Sequence, residues 1–191
     1  MISLSILPLL AFGLICSAQP LEKRQSTNPT SFKLYAYGPD ISGLPVFYMN
    51  GTAHVADTSK VSATTMAAMT PVNFTASTDG SNIFTAHPSS TEGVATLSTN
   101  TNKLCLDQGG TNSNPVGFTG SSSREQTNQL SNVWSLYGSY VLVSVSGANF
   151  YARQTEDGLY SVLWSSSAEA MTDTIPLVLR TAEPATEYVL I

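Results

Sequence analysis

The chain is short of charge. Of its 191 residues only 11% are Asp, Glu, Lys or Arg, against about 25% in an ordinary soluble protein. Positive charge is scarcest: eight Lys and Arg stand against thirteen Asp and Glu, a formal net charge of −5. Beyond residue 24 the balance is six against twelve, a net of −6. Nucleic acid and anionic membrane surfaces both demand clustered cations, so neither is an expected partner. Histidine is almost absent, with only His54 and His87. No spacing of His, Cys or carboxylate matches a zinc site, a phosphate loop or a serine-nucleophile elbow. No catalytic residue, metal ligand or cofactor is therefore assigned from the sequence. Cysteine is as rare: Cys16 and Cys105 do not make a disulfide scaffold. Cys105 lies between Leu104 and Leu106 and reads as an inert thiol buried in a strand.

Apolar runs long enough to cross a bilayer are also missing. Leu4 to Ile15 has the length of a signal-peptide core and is too short for a span. Small residues follow at Cys16-Ser17-Ala18, so cleavage is expected after Ala18, making residues 1–18 a signal peptide. Next comes Leu21-Glu22-Lys23-Arg24. The Lys23-Arg24 pair resembles the kexin-type processing sites common in fungal secreted proteins. That resemblance implies a propeptide over residues 19–24 and a mature start at Gln25, with residues 25–31 a polar lead-in. Two glycosylation sequons agree with this route, Asn50-Gly51-Thr52 and Asn73-Phe74-Thr75, whereas Asn28-Pro29-Thr30 is excluded by its proline. The expected location is extracellular or in a cell wall.

What the chain has in abundance is hydroxyl: 26 Ser and 22 Thr. The hydrophobic fraction of 42%, with eight Tyr and seven Phe, supplies a core and excludes disorder through low hydrophobicity. Helical periodicity is confined to Ser62–Met69. Elsewhere short alternating runs of Val, Phe, Tyr and Thr predict strands. Hairpin turns are expected at Asn50-Gly51, Asp79-Gly80 and Asp157-Gly158, dipeptides that accept positive φ. A looser turn is expected at Thr99–Asn102.

These runs repeat. Leu34-Tyr35-Ala36-Tyr37-Gly38, Phe84-Thr85-Ala86-His87-Pro88 and Trp134-Ser135-Leu136-Tyr137-Gly138 stand 50 residues apart. Each precedes an expected hairpin: Pro45–Ala56, Val94–Asp107 and Asn149–Trp164. Each hairpin precedes a proline-led strand carrying Val72/Phe74, Val116/Phe118 or Leu177/Leu179 at inward positions. Twelve strands result, in three units of about 50 residues, a period that signals repeat architecture. Leu34, Phe84 and Trp134 are expected to meet in one core. Only the third unit departs, because Ser139–Val145 reads as an additional or lengthened strand. The organisation resembles the β-trefoil fold of fibroblast growth factors, ricin-type lectins and several fungal lectins and protease inhibitors. The expected fold is thus all-β and trefoil-like over residues 32–181, with 182–191 a C-terminal tail. An antiparallel β-sandwich is the alternative.

Candidate binding residues are few. Cys105-Leu106-Asp107-Gln108-Gly109-Gly110 resembles the Cys-Leu-Asp segment of ricin-type lectin repeats. The resemblance implies a sugar site at Asp107 and Gln108, an ionised carboxylate accepting from vicinal hydroxyls while an aromatic ring covers the sugar's apolar face. The Gln-x-Trp signature of that family is absent, and the segment occurs in one unit only. Asp107 also suits the opening of a Gly-rich turn. His54, opposite Ala53 and Val55, is expected to point outward; His87 takes the slot of Tyr37 and Tyr137; Glu156 and Asp157 are expected to be solvated in their turn. Polar loops at 112–114 and 120–130 offer a second surface. The expected function is non-catalytic recognition of an extracellular glycan or protein by a monomer. A secreted protease inhibitor or host-directed effector, and a small secreted enzyme, are the alternatives.

Overall fold

The computed structural model describes residues 31–89, 102–109, 114–119, 128–167 and 171–185. The expected signal peptide, the propeptide, the lead-in up to residue 30, Gly110 at the end of the lectin-like segment and most of the 120–130 loop lie outside them. So does the first half of the expected second hairpin with most of its Thr99–Asn102 turn.

Alternation does what it predicts: the fold is all-β and antiparallel, in the trefoil-like or sandwich class. Thirteen strands are described: β1 Tyr35–Gly38, β2 Ile41–Met49, β3 Thr52–Ala56, β4 Thr70–Ala76, β5 Phe84–Pro88, β6 Leu104–Asp107 and β7 Asn114–Phe118. Then come β8 Gln129–Leu130, β9 Trp134–Tyr137, β10 Tyr140–Val143, β11 Asn149–Glu156, β12 Leu159–Ser165 and β13 Ile175–Arg180. Of the twelve expected, the first strand of the second hairpin lies outside the described residues; β10 is the extra element that Ser139–Val145 announced, and β8 is a two-residue addition. One helix is described, α1 Ala63–Ala68, inside the window the periodicity marked. Ser62 caps it, its Oγ accepting from Thr65 N–H at 3.1 Å, and Met69 leaves in extended conformation.

Hydrogen bonding closes six strands into a ring, β2–β1–β13–β11–β12–β3 and back to β2. One strand from each expected unit also meets the other two: Thr52 pairs with Gly117, Leu159 with Ala56, and Leu163 with Pro115. The β2–β3 turn is the expected tight one, with Asn50 at φ 51° and Gly51 at φ 84°, the positive angles of a two-residue hairpin. The β11–β12 turn closes at Gly158, φ 73°. At Asp79-Gly80 the connection is wider than a two-residue turn, running from β4 to β5 with Ser77 N–H donating to Ile83 O at 2.9 Å.

Leu34, Phe84 and Trp134 do share one core, each 1% exposed, together with all six inward positions read from the proline-led strands. Seven rings run through it in contact. Tyr48 meets Phe118, then Phe74, Phe32, Phe84, Trp134 and Phe150, with centroids 5.2–6.4 Å apart. Stacked and edge-on aromatic pairs at such distances add about 0.5–1.5 kcal/mol each beyond their burial. Both indoles are also satisfied by β6: Trp134 Nε1 donates to Leu104 O at 2.7 Å and Trp164 Nε1 to Asp107 O at 2.8 Å.

Two outward sheet faces differ in their cover. On β2, β3 and β12, Phe47, Ala56 and Leu159 form a second small cluster with Met69, backed by Val61 and Met66 from the segment that carries α1. Glu156 ties that segment down, accepting from Thr65 Oγ1 at 2.7 Å and from Ser62 N–H at 3.3 Å. Glu156 was expected to be solvated in its turn; it is partly exposed there, and these hydrogen bonds hold its carboxyl below the usual carboxylate range. On the second face, β9, β10 and the Val178 region of β13 carry no such cover from the described residues, whereas Tyr35 on β1 is only 6% exposed. Its C-terminal border is residues 181–185, part of the expected tail, where Tyr37 Oη donates to Ala182 O at 2.8 Å and Tyr35 Oη donates to Glu183 Oε1.

Candidate functional site

Period-two geometry puts cross-strand partners on the same face. Tyr35 pairs with Arg180, Arg180 with Tyr140, Tyr140 with Tyr137, Tyr37 with Val178, and Leu142 with Ser135. Their neighbours Ala36, Leu177, Leu179, Val141 and Trp134 point the other way and belong to the core. The outward set is therefore four tyrosines, Leu142, Val178, Ser135 and Arg180. Among the described residues, the large hydrophobics left exposed are all here: Tyr137 at 75%, Leu142 at 49%, Tyr140 at 45% and Val178 at 45%. Contiguous exposed apolar surface on a soluble protein marks a contact site.

Local sequence explains the presentation. Gly138, at φ 60°, lets β9 turn into β10 within Tyr137-Gly138-Ser139-Tyr140, so Tyr137 and Tyr140 face each other across the tightest part of the hairpin. Beyond Tyr140, β10 leaves β13, whose same edge passes to β11 at Leu177–Phe150. The divergence opens a groove of about 380 Å³, floored by Val141, Phe150 and Leu179 and rimmed by Tyr137, Leu142 and Val178.

Arg180 lies at the centre. Tyr37 and Tyr140 occupy opposite edges of β13, and the guanidinium carbon sits 5.3 Å from the first ring's centroid and 4.7 Å from the second's. Ser139 Oγ accepts from Nη2 at 3.1 Å and from Nε at 3.4 Å. Glu183, the acidic group at this border, accepts from Tyr35 instead. Burial, reinforced by that carboxylate, pushes the Tyr35 hydroxyl well above its usual range, so it remains a donor. The face combines apolar ring surface, hydroxyls and one positioned cation.

The residues singled out from sequence lie elsewhere. Asp107 ends β6, 8% exposed, its own carbonyl taken by Trp164; Gln108 beside it is exposed, its N–H donating to Asn128 O at 2.9 Å. A ligand arriving there would meet Gln108 before the Asp107 carboxylate. Asn50 is exposed at its turn, whereas Asn73 is half-buried in β4 opposite His87. His87 Nε2 is 3.0 Å from Thr75 Oγ1. Cys105 is buried, as expected.

His54 needs correction. Alternation put it on the face opposite Ala53 and Val55, and it is there, between Phe47 and Ser161. But that face is the covered one, so the ring is 6% exposed rather than in solvent. Its Nε2 is 3.1 Å from Ser161 Oγ and its Nδ1 3.4 Å from Thr52 Oγ1. Burial lowers its pKa below the usual histidine value. A serine beside a histidine is the start of a nucleophile–base pair, but the group behind this ring is a hydroxyl, not a carboxylate, and the ring is enclosed. No cluster of three or more His, Cys, Asp or Glu suited to a metal ion occurs among the described residues.

The tyrosine face itself was not found from sequence. The signal was present in Tyr35/Tyr37 and Tyr137/Tyr140/Leu142, large apolar residues at outward period-two positions. The 50-residue alignment set Tyr37 and Tyr137 beside His87 as structural slots and hid it. Comparison with known proteins assigns the chain to no group: no family model, no curated protein and no solved structure matches it.

Proposed function

We propose that the protein is a secreted, non-catalytic binding protein that holds an extracellular or cell-wall carbohydrate on the face bearing Tyr37, Tyr137 and Tyr140. One observation carries the reading: the exposed large hydrophobics of the described residues fall on one sheet face, two of them tyrosines facing each other across a hairpin. A pyranose ring offers a flat C–H face and a rim of hydroxyls, and tyrosine offers a flat apolar body with a polar tip. Ser135, Ser139 and the tyrosine hydroxyls both donate and accept, as sugar hydroxyls require. The scarcity of cations argues against nucleic acid. Routing outward rests on the Leu4–Ile15 run, on Lys23-Arg24 and on the sequons, of which Asn50 is the more accessible. The trefoil-like form of the fold belongs to the same proposal, supported by the shared core of Leu34, Phe84 and Trp134 and by the meeting of β3, β7 and β12.

The test is retention on insoluble polysaccharides of different linkage, with free sugars as competitors. Tyr137→Ala and Tyr140→Ala are expected to weaken binding by about tenfold or more, since stacked aromatic anchors dominate contact energies. Asp107→Ala is expected to leave it intact. If Asp107→Ala abolishes retention while Tyr137→Ala does not, the site is the β6 end, not this face. Turnover of any bound polymer would overturn the non-catalytic reading.

A further inference from the structure

Among the described residues Arg180 is the one cation on the tyrosine face, and three neighbours fix it: two rings hold its faces and Ser139 Oγ accepts from two of its nitrogens. No carboxylate among the described residues lies within ion-pair distance of it. A guanidinium has five N–H donors, and one hydroxyl acceptor leaves most of its fork unused. Clamping also removes much of the rotamer entropy that a long side chain loses on binding. A planar, pre-positioned fork beside exposed rings fits a planar anion attached to an apolar-faced ring.

We infer that the glycan taken by this face carries a carboxylate, a uronic acid, seated on Arg180 while its neighbouring sugars lie against Tyr137 and Tyr140. This rests on the carbohydrate reading above. Charge sets the kind of polymer. With one cation on the face and a net charge of −5 on the chain, a densely charged polyuronate is repelled overall, whereas an isolated uronate on an otherwise neutral chain meets only the local field. The fitting ligand is a neutral polysaccharide with sparse uronate substituents.

The decisive comparison uses glucuronoxylan, the same polymer after chemical reduction of its carboxyl groups, and polygalacturonate. The secreted protein is expected to bind glucuronoxylan about tenfold more tightly than its reduced form, the scale of a charge-assisted bidentate contact. Added salt should weaken the first and leave the second unmoved. Arg180→Gln should erase the difference between the two polymers, and Arg180→Lys should restore part of it, since an ammonium keeps charge but not the fork. Ser139→Ala, which keeps the cation and removes its hydroxyl brace, should lower the preference even if Arg180→Gln does not fold. Equal binding of the two xylans, a preference that survives in Arg180→Gln, or tightest binding to polygalacturonate overturns the inference and leaves the carbohydrate reading standing. Retention of none of the polymers, neutral glycans included, removes that reading itself.

Discussion

Two outward faces of one antiparallel fold both carry large apolar side chains and meet opposite fates. On β2, β3 and β12 the face of Phe47, Ala56 and Leu159 is roofed by the segment bearing α1, which a cap at Ser62 and the Glu156 carboxylate hold in place. On β9, β10 and β13 the face of Tyr137, Tyr140, Leu142 and Val178 is bare among the described residues. The residue types match the difference. The roofed face is mostly Phe, Met, Leu and Ala, and its one buried ring with polar atoms, His54, lies within hydrogen-bonding distance of Ser161 and Thr52. The bare face uses tyrosine, which tolerates water at one end.

Breaking the roofed face should cost the most. Phe47→Ala is expected to lower unfolding free energy by about 3–5 kcal/mol, read by chemical denaturation, with binding to polysaccharide unchanged in the protein that remains folded. Loosening the roof costs less: Ser62→Ala removes the cap of α1 and should cost about 1 kcal/mol. If it costs nothing, α1 contributes no cover and the comparison fails. A pH series sharpens the same point. His54 has a lowered pKa in the folded chain, so the folded state resists a proton that the unfolded state accepts below about pH 6.5. Stability should be full above that value and decline as pH falls from there toward the folded pKa; His54→Gln should flatten the decline. The smallest effect on stability is expected on the bare face, where Tyr137→Ala should stay within about 0.5 kcal/mol of wild type while binding weakens by about tenfold or more. A large destabilisation there would mean that the tyrosines are core, not contact surface.

How much of this was legible in the sequence divides along the same line. Alternation read the side of each strand correctly: Val72/Phe74, Val116/Phe118 and Leu177/Leu179 are inward, and Asn50-Gly51 turns as written. The helix was visible because Ser62 and the Ala/Met/Thr run break the strand pattern. What alternation does not encode is whether an outward side is later covered. That depends on where the 57–69 segment folds back, a tertiary event, so His54 was placed on the right face and in the wrong environment. The bare face was lost for a different reason. Repeat alignment favours what the units share, and the exposed tyrosine face is built on β10, the strand by which the third unit departs from the others. The irregular insertion in the repeat was the better guide to it.

The β9–β10 hairpin is held at both ends and open between them. Its root is pinned, Trp134 N–H donating to Asn82 O and the Trp134 indole to Leu104 O, and its tip is tied to the end of β13, Ser139 O accepting from Thr181 N–H and Ser139 Oγ from Arg180. Between these ties β10 pairs with β9 alone, its ladder to β13 stopping at Tyr140. In amide-exchange terms the weak stretch is this one-sided length of strand rather than either end. An occupant of the groove beside it would order that edge, so occupancy should appear first as slowed exchange in Leu142 and Val143, and part of the affinity would be set by the ordering of the strand rather than by contacts alone.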